Sequence, residues 1–163
     1  MNRDILCLYY SRTGKTRQAM TEIAEALDCE LVEIRDRVER SGAIGWLRCG
    51  LDAMRKRTRA LEPIATEQKL SSYRLVVIGT PVWAGRCSSV IRGFLKRRGL
   101  ELRDVAYVIT HGSDEPYRDV FRQMDLYVER PHVAEVSLRL DSAGFHFWKD
   151  QFIQSVSEFV AEK

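Results

Sequence analysis

The chain has 163 residues, 45% of them hydrophobic, with 26 Lys and Arg against 23 Asp and Glu for a net charge of +3. That length and apolar content suit one globular domain, here residues 1–163, and exclude a disordered chain. The cysteines at 7, 29, 49 and 87 form no C-x-x-C pair and share no ligand spacing with His111, His132 and His146, which argues against a disulfide framework or a metal site. No apolar run reaches the length of a membrane span, no leader pattern opens the sequence, and scattered thiols fit a reducing compartment, so a cytoplasmic protein is expected.

The first predicted strand is about Ile5–Tyr10, and Cys7 within it reads as a small core residue. A helix follows from about Gly14 to Leu27, with Thr16, Met20, Ile23 and Leu27 on one face. A short second strand is about Leu31–Ile34. Residues 36–74 are too many for a plain connection, and Ile44, Leu47, Leu51 and Met54 form a helical stripe there. Arg48, Arg55, Lys56, Arg57 and Arg59 crowd the rest of that stretch, and four-residue spacing pairs Asp52 with Arg48 and Lys56. The reading is a basic helical insertion at about 40–62. It serves as a solvated face, as a site for the phosphates of NAD(P)H, as a dock for an acidic redox protein, or as a contact with anionic membrane.

The third strand, Leu75–Ile78, ends at Gly79-Thr80-Pro81. Ser88 or Ser89 caps the next helix, which closes on Lys96-Arg97-Arg98 and a C′ glycine at Gly99. The fourth strand, Val105–Thr110, ends at His111-Gly112-Ser113, and Tyr117, Val120, Phe121 and Met124 mark another helix. The fifth strand is about Val133–Leu140. The last helix is capped at Asp141 or Ser142, with Phe145, Trp148, Phe152, Val156 and Phe159 as its core stripe. Strands alternating with helices predict an α/β fold: a three-layer sandwich, its five-stranded parallel sheet covered on both faces.

The turn after the first strand, Ser11-Arg12-Thr13-Gly14-Lys15-Thr16, combines hydroxyls, a glycine and a helix start, the makings of a phosphate site. A triphosphatase loop would need glycine at position 9, where Tyr9 stands, and the later strand ends lack the Asp that would hold magnesium. A plain strand-to-helix turn remains the alternative reading of these residues.

Ser11-x-Thr13-Gly14-x-Thr16 resembles the phosphate loop of flavodoxins. Thr80-Pro81-Val82-Trp83-Ala84-Gly85 is similar to that family's second flavin loop, and Thr110-His111-Gly112-Ser113 stands in the place of the third. The resemblance implies strand order 2-1-3-4-5 and a non-covalent FMN. Ser11, Arg12, Thr13, Gly14, Lys15 and Thr16 would hold its phosphate. Thr80, Pro81, Val82, Trp83, Ala84 and Gly85 would flank one ring face, with Trp83 stacked on it. Thr110, His111, Gly112, Ser113 and Asp114 would line the other, and His111 is the candidate proton donor. Cys87, His132 and His146 read as structural or solvated residues.

An electron-transferring flavoprotein is therefore expected, with a redox partner protein or a small quinone as its counterpart. The alternatives are an NAD(P)H-dependent FMN or quinone reductase and a binding or regulatory module without flavin. Relatives of this fold often dimerise beside the flavin, which keeps a homodimer open. No aromatic-interleaved basic motif points to nucleic acid. The family's carriers are typically acidic and this chain is basic, so a flavin here is expected to reduce more easily than in them.

Overall fold

The computed structural model describes residues 1–56 and 58–162, so Arg57 of the basic stretch lies outside the described residues. The elements in chain order are β1 (Asn2–Tyr9), α1 (Lys15–Ala26), β2 (Cys29–Glu33), α2 (Gly42–Met54), β3 (Leu75–Trp83), β4 (Arg86–Cys87), α3 (Ser89–Arg98), β5 (Asp104–Thr110), α4 (Asp119–Val128), β6 (Ala134–Leu138) and α5 (Phe145–Ala161).

The long strands form a parallel sheet in the order β2-β1-β3-β5-β6, and the two-residue β4 pairs antiparallel with the end of β3. Leaving out β4, this is the expected order 2-1-3-4-5. β1 and β3 are neighbours, yet the chain leaves β1 toward β2 on one side and returns to β3 on the other. The order reverses between them, and ligands of open α/β sheets bind above such a reversal, at the carboxyl ends of the strands.

Period-two alternation divides each central strand between two cores. Leu6 and Leu8 of β1, Val76 and Ile78 of β3, and Tyr107 and Ile109 of β5 face the side covered by α3 and α4. Ile5 and Cys7, Leu75 and Val77, and Ala106 and Val108 face the side covered by α1 and α5. Met20 and Ile23 of α1 are fully buried there, each contributing about 1.5–3 kcal/mol by leaving water. Gly79 of β3 lies directly beneath Met20, and a Cβ at that position would collide with the Met20 side chain. Lys149 of α5, itself buried, ties the two helices of this layer together through Glu22 of α1 at 2.5 Å.

Several local expectations need correction. Gly99 has a right-handed backbone, φ −59°, so it is no left-handed cap. Glycine is needed there because a Cβ would press on the Tyr127 carbonyl oxygen at 2.7 Å. Ser88 alone caps α3, accepting from the Ile91 amide at 3.2 Å. The final helix starts after Gly144 rather than at Asp141 or Ser142. Its buried stripe is Phe145, Lys149, Phe152 and Val156. At 3.6 residues per turn Trp148 stands about 70° from the middle of that stripe, and it is 56% exposed instead of core. Asp52 pairs with Arg40 and Arg59 rather than with Arg48 and Lys56. Asp52 lies on the buried face of α2, where its own helix neighbours cannot follow.

Candidate functional site

Three loops leave the carboxyl ends of β1, β3 and β5, as the sequence places them. The first is a hydroxyl-lined turn into α1. The Ser11 hydroxyl accepts from the Gly14 amide at 3.0 Å, which ties the turn closed. Gly14 has φ +95°, a left-handed conformation that glycine adopts without steric cost, and the space where a Cβ would stand is open. Among the described residues no protein group accepts from the Lys15, Thr16 or Arg17 amides. Three N–H groups and the positive end of the helix dipole therefore face outward together.

The Thr16 hydroxyl is buried and lies 2.8 Å from the Thr110 hydroxyl at the end of β5. One proton serves that bond, so the pair keeps a second proton to donate elsewhere. The cations divide. Arg17 is held by Glu33 at 2.9 Å and Tyr9, and Arg12 leans on the Arg40 carbonyl oxygen at 3.4 Å. Lys15 is exposed with no ion-pair partner among the described residues. The donor set of this loop fits a phosphate monoester dianion: amides, hydroxyls and one unpaired cation, with no carboxylate among residues 11–16.

The second loop is a tight hairpin. Val82 pairs with Cys87 and Trp83 with Arg86, leaving Ala84 and Gly85 as a two-residue turn with φ +47° and +69°. Positive φ at both positions is the type I′ signature that follows the twist of the strands. The base is fastened by Thr80, whose buried hydroxyl accepts from the Ser88 amide at 2.9 Å and meets the Ser88 hydroxyl at 3.2 Å. The Thr80 hydroxyl is thus engaged inside the protein.

Trp83, the residue expected to stack on a ring, is 8% exposed. The Tyr10 ring meets it edge-on at 5.5 Å, and the Arg40 guanidinium sits 5.1 Å from its centre. The outer surface of the hairpin is Ala84 and Gly85, with Pro81 and Val82 half-buried beside them. Cys87 is buried, and burial pushes its thiol up to about 11, so it is protonated and unreactive at neutral pH.

Arg40 went unnoticed in the sequence because it stands in an irregular stretch, with only Asp36 four residues before it as a signal. Its buried guanidinium donates to Asp36 at 2.8 Å, to Asp52 at 3.0 Å and to the Ser89 hydroxyl at 3.2 Å. Burial opposes its charge, but the Asp36 and Asp52 carboxylates outweigh that and raise its pKa further. Arg40 therefore joins the loop after β2, α2, α3 and the Trp83 hairpin.

The third loop holds His111 by both ring nitrogens. Nδ1 lies 3.0 Å from the Ser113 carbonyl oxygen, which can only accept, so Nδ1 carries the proton. Nε2 then accepts from the Ser137 hydroxyl at 2.7 Å. Burial lowers the His111 pKa, the Ser113 carbonyl opposes this, and the Arg139 charge adds to the lowering. A neutral ring with both nitrogens engaged locks the loop. Gly112 beside it is exposed with open space over its Cα. Asp114 is exposed and paired with Arg139.

A cavity of about 500 Å³ lies on the β6 side of His111, bordered by Arg118, Ser137, Arg139 and Trp148. A smaller one of about 260 Å³ lies between Ser11, Arg12, Asp36 and Arg40. His132 is packed away from the site, bonded to Asp125 at 2.9 Å and Glu135 at 2.6 Å. Among the described residues no cluster of three or more His, Cys, Asp or Glu is arranged to hold a metal ion.

No curated protein matches the sequence significantly. Among solved structures, a flavoprotein of Lactobacillus acidophilus in complex with FMN superposes with a TM-score of 0.67 at 21% identity, over 90% of this chain and 99% of that one. A Bacteroides eggerthii protein classed as a flavoprotein gives 0.76 at 20% identity, over 99% and 100% of the two chains. The flavodoxin of Megasphaera elsdenii gives 0.57 at 14% identity, over 94% and 98%. These likenesses establish the shared fold. The sequence profile of the flavodoxin family matches residues 4–120, most of the chain and all three loops, and the protein belongs to that family.

Proposed function

We propose that the protein binds FMN non-covalently across its three loops and transfers electrons through the flavin. The observation that carries this reading is the set of outward-facing amides at Lys15, Thr16 and Arg17 over the open space at Gly14. With the Ser11, Thr13 and Thr16 hydroxyls and the Lys15 charge, they form a site for a phosphate dianion. Ala84 and Gly85 on one side, and Gly112 and Ser113 on the other, then flank a planar ring, with open space over the backbone at both glycines. Trp83 backs the first wall and His111 fixes the second. The flavin, when bound, supplies the one- and two-electron chemistry, so the chain needs no nucleophile of its own. Its residues hold the phosphate, orient the ring and keep water from its inner edge.

The test is a titration of flavin-free protein with FMN and with riboflavin, followed by flavin fluorescence. Tight FMN binding that weakens at least a hundredfold without the phosphate supports the reading. Protein that takes up neither compound sinks it and leaves a binding or regulatory module on this fold.

A second reading, NAD(P)H-dependent reduction of FMN or a quinone, draws on the cavity beside His111. Its volume of about 500 Å³ has room for a second ring system, with Arg118 at its border for a phosphate beside an Arg139 already shared by Asp114 and Asp141. Steady-state oxidation of NADH or NADPH by the FMN-loaded protein with a quinone separates this enzyme from a carrier, which needs a partner reductase.

A further inference from the structure

Helix α2 turns its large apolar side chains outward. Its buried face carries Gly45, Cys49, Asp52 and Ala53. Gly45 lies so near the Arg40 backbone that a side chain there would collide with it, and Asp52 is fixed beneath Arg40. The outward stripe is Ile44, Leu47, Leu51 and Met54, which are 77%, 56%, 39% and 66% exposed, and Trp46 on the flank is 66% exposed. A helix that only bridged β2 and β3 would bury such a stripe and show its Asp to water. The inverted pattern marks a face that waits for something apolar.

The charges say what kind of surface that is. Arg48 and Arg55 border the stripe along one side, and Lys56 and Arg59 follow from its carboxyl end. Asp52 is the only acidic residue of α2, and it is buried. Arg59 shares Asp52 at 3.4 Å, while no acid lies within ion-pairing distance of Arg55 or Lys56 among the described residues. A second copy of the chain docked through this face would set these cations against one another. The occupant must be apolar opposite the stripe and anionic at its rim.

We propose that α2 rests on an anionic lipid surface, its stripe among the upper acyl chains and its cations on the lipid phosphates. A basic helix with a continuous apolar face lies in that interface, and indole rings favour the headgroup level where Trp46 would sit. Among the described residues no helix is long and apolar enough to cross a membrane, so the contact would be peripheral. This inference stands apart from the flavin reading, since it uses none of the loop residues.

Flotation of the whole protein with vesicles tests it. Phosphatidylcholine vesicles containing phosphatidylglycerol should carry the protein at low salt, pure phosphatidylcholine vesicles should not, and high salt should release it. Leu47→Gln with Leu51→Gln, and separately Arg55→Gln with Lys56→Gln, should each lower the partition coefficient at least tenfold. All four positions are exposed, so an unchanged thermal midpoint should confirm that the variants are folded. Indole emission should shift to the blue on binding, and Trp46→Phe should remove most of the shift. Failure to float with anionic vesicles at low salt overturns the proposal. So does flotation that survives the loss of Leu47 and Leu51, or an α2-dependent complex with an acidic protein in the absence of any lipid binding.

Discussion

The guanidinium carbon of Arg40 lies 5.1 Å from the centre of the Trp83 ring, on the same indole that Tyr10 meets edge-on. A buried cation on an aromatic ring is attracted by the ring's quadrupole, by about 2 kcal/mol where both are desolvated. The same cation is shared by Asp36 and Asp52, with Arg59 as a second partner of Asp52, so one side chain fixes the hairpin wall and holds two carboxylates.

Replacing Arg40 with Ala should therefore be severe. It leaves the Asp36 carboxylate buried without its partner and Asp52 with only the longer Arg59 contact, at a cost of about 3–5 kcal/mol in urea unfolding. Arg40→Met with Asp36→Asn and Asp52→Asn, which removes all three charges together, should recover most of that loss.

The Thr16–Thr110 contact predicts a double effect. Thr16→Val should destabilise the protein by about 1–3 kcal/mol, since it strands a buried Thr110 hydroxyl. It should also weaken FMN binding in a fluorescence titration. Thr110→Val should cost similar stability and affect FMN binding less, because Thr16 stands at the head of α1.

His111 sets a pH dependence. Its folded pKa is lowered, chiefly by burial, below the ordinary value of 6.5. The unfolded chain therefore takes up the proton first as pH falls. Stability is complete above about pH 6.5 and declines from there down to the lower folded pKa. Urea midpoints measured across that range should fall for the native protein, and His111→Gln should remove this part of the slope.

The hairpin turn gives a cleaner backbone test. Gly85 has φ +69° with nothing within 4 Å of a Cβ, so Gly85→Ala meets no obstruction and suffers only the left-handed conformation. The expected loss is about 1–2 kcal/mol in unfolding experiments.

The layers, the strand order and the positions of the three loops were legible in the sequence. The layers and the loop positions follow from apolar runs such as Leu75–Ile78 and from Gly and Thr at strand ends, and the strand order from the resemblance of the three loops to those of flavodoxins. What the sequence concealed were directions in space. The stripe of α2 has the period of a core face and points to water, because Asp52 and Gly45 are required inside by Arg40. Trp148 fits the spacing of the last helix, yet the buried stripe is centred on Phe145, Lys149, Phe152 and Val156, which leaves the indole at the border of the His111 cavity. Thr80 and His111 occupy the expected loops, but their polar atoms are satisfied by Ser88, Ser113 and Ser137. Periodicity reports which residues share a face, and only packing decides which way that face looks.

Gly79 links this packing to the site. α1 rides on bare backbone at that point of β3, with Met20 pressed against the position a methyl group would take. The height of the helix above the sheet, and with it the aim of the amides at its far end, is gauged by a single hydrogen atom in the core. A side chain at 79 would act as a shim. It would touch no polar group, yet it would tilt the amides of Lys15, Thr16 and Arg17 away from the open space at Gly14, so the geometry at one end of α1 depends on a residue far from it.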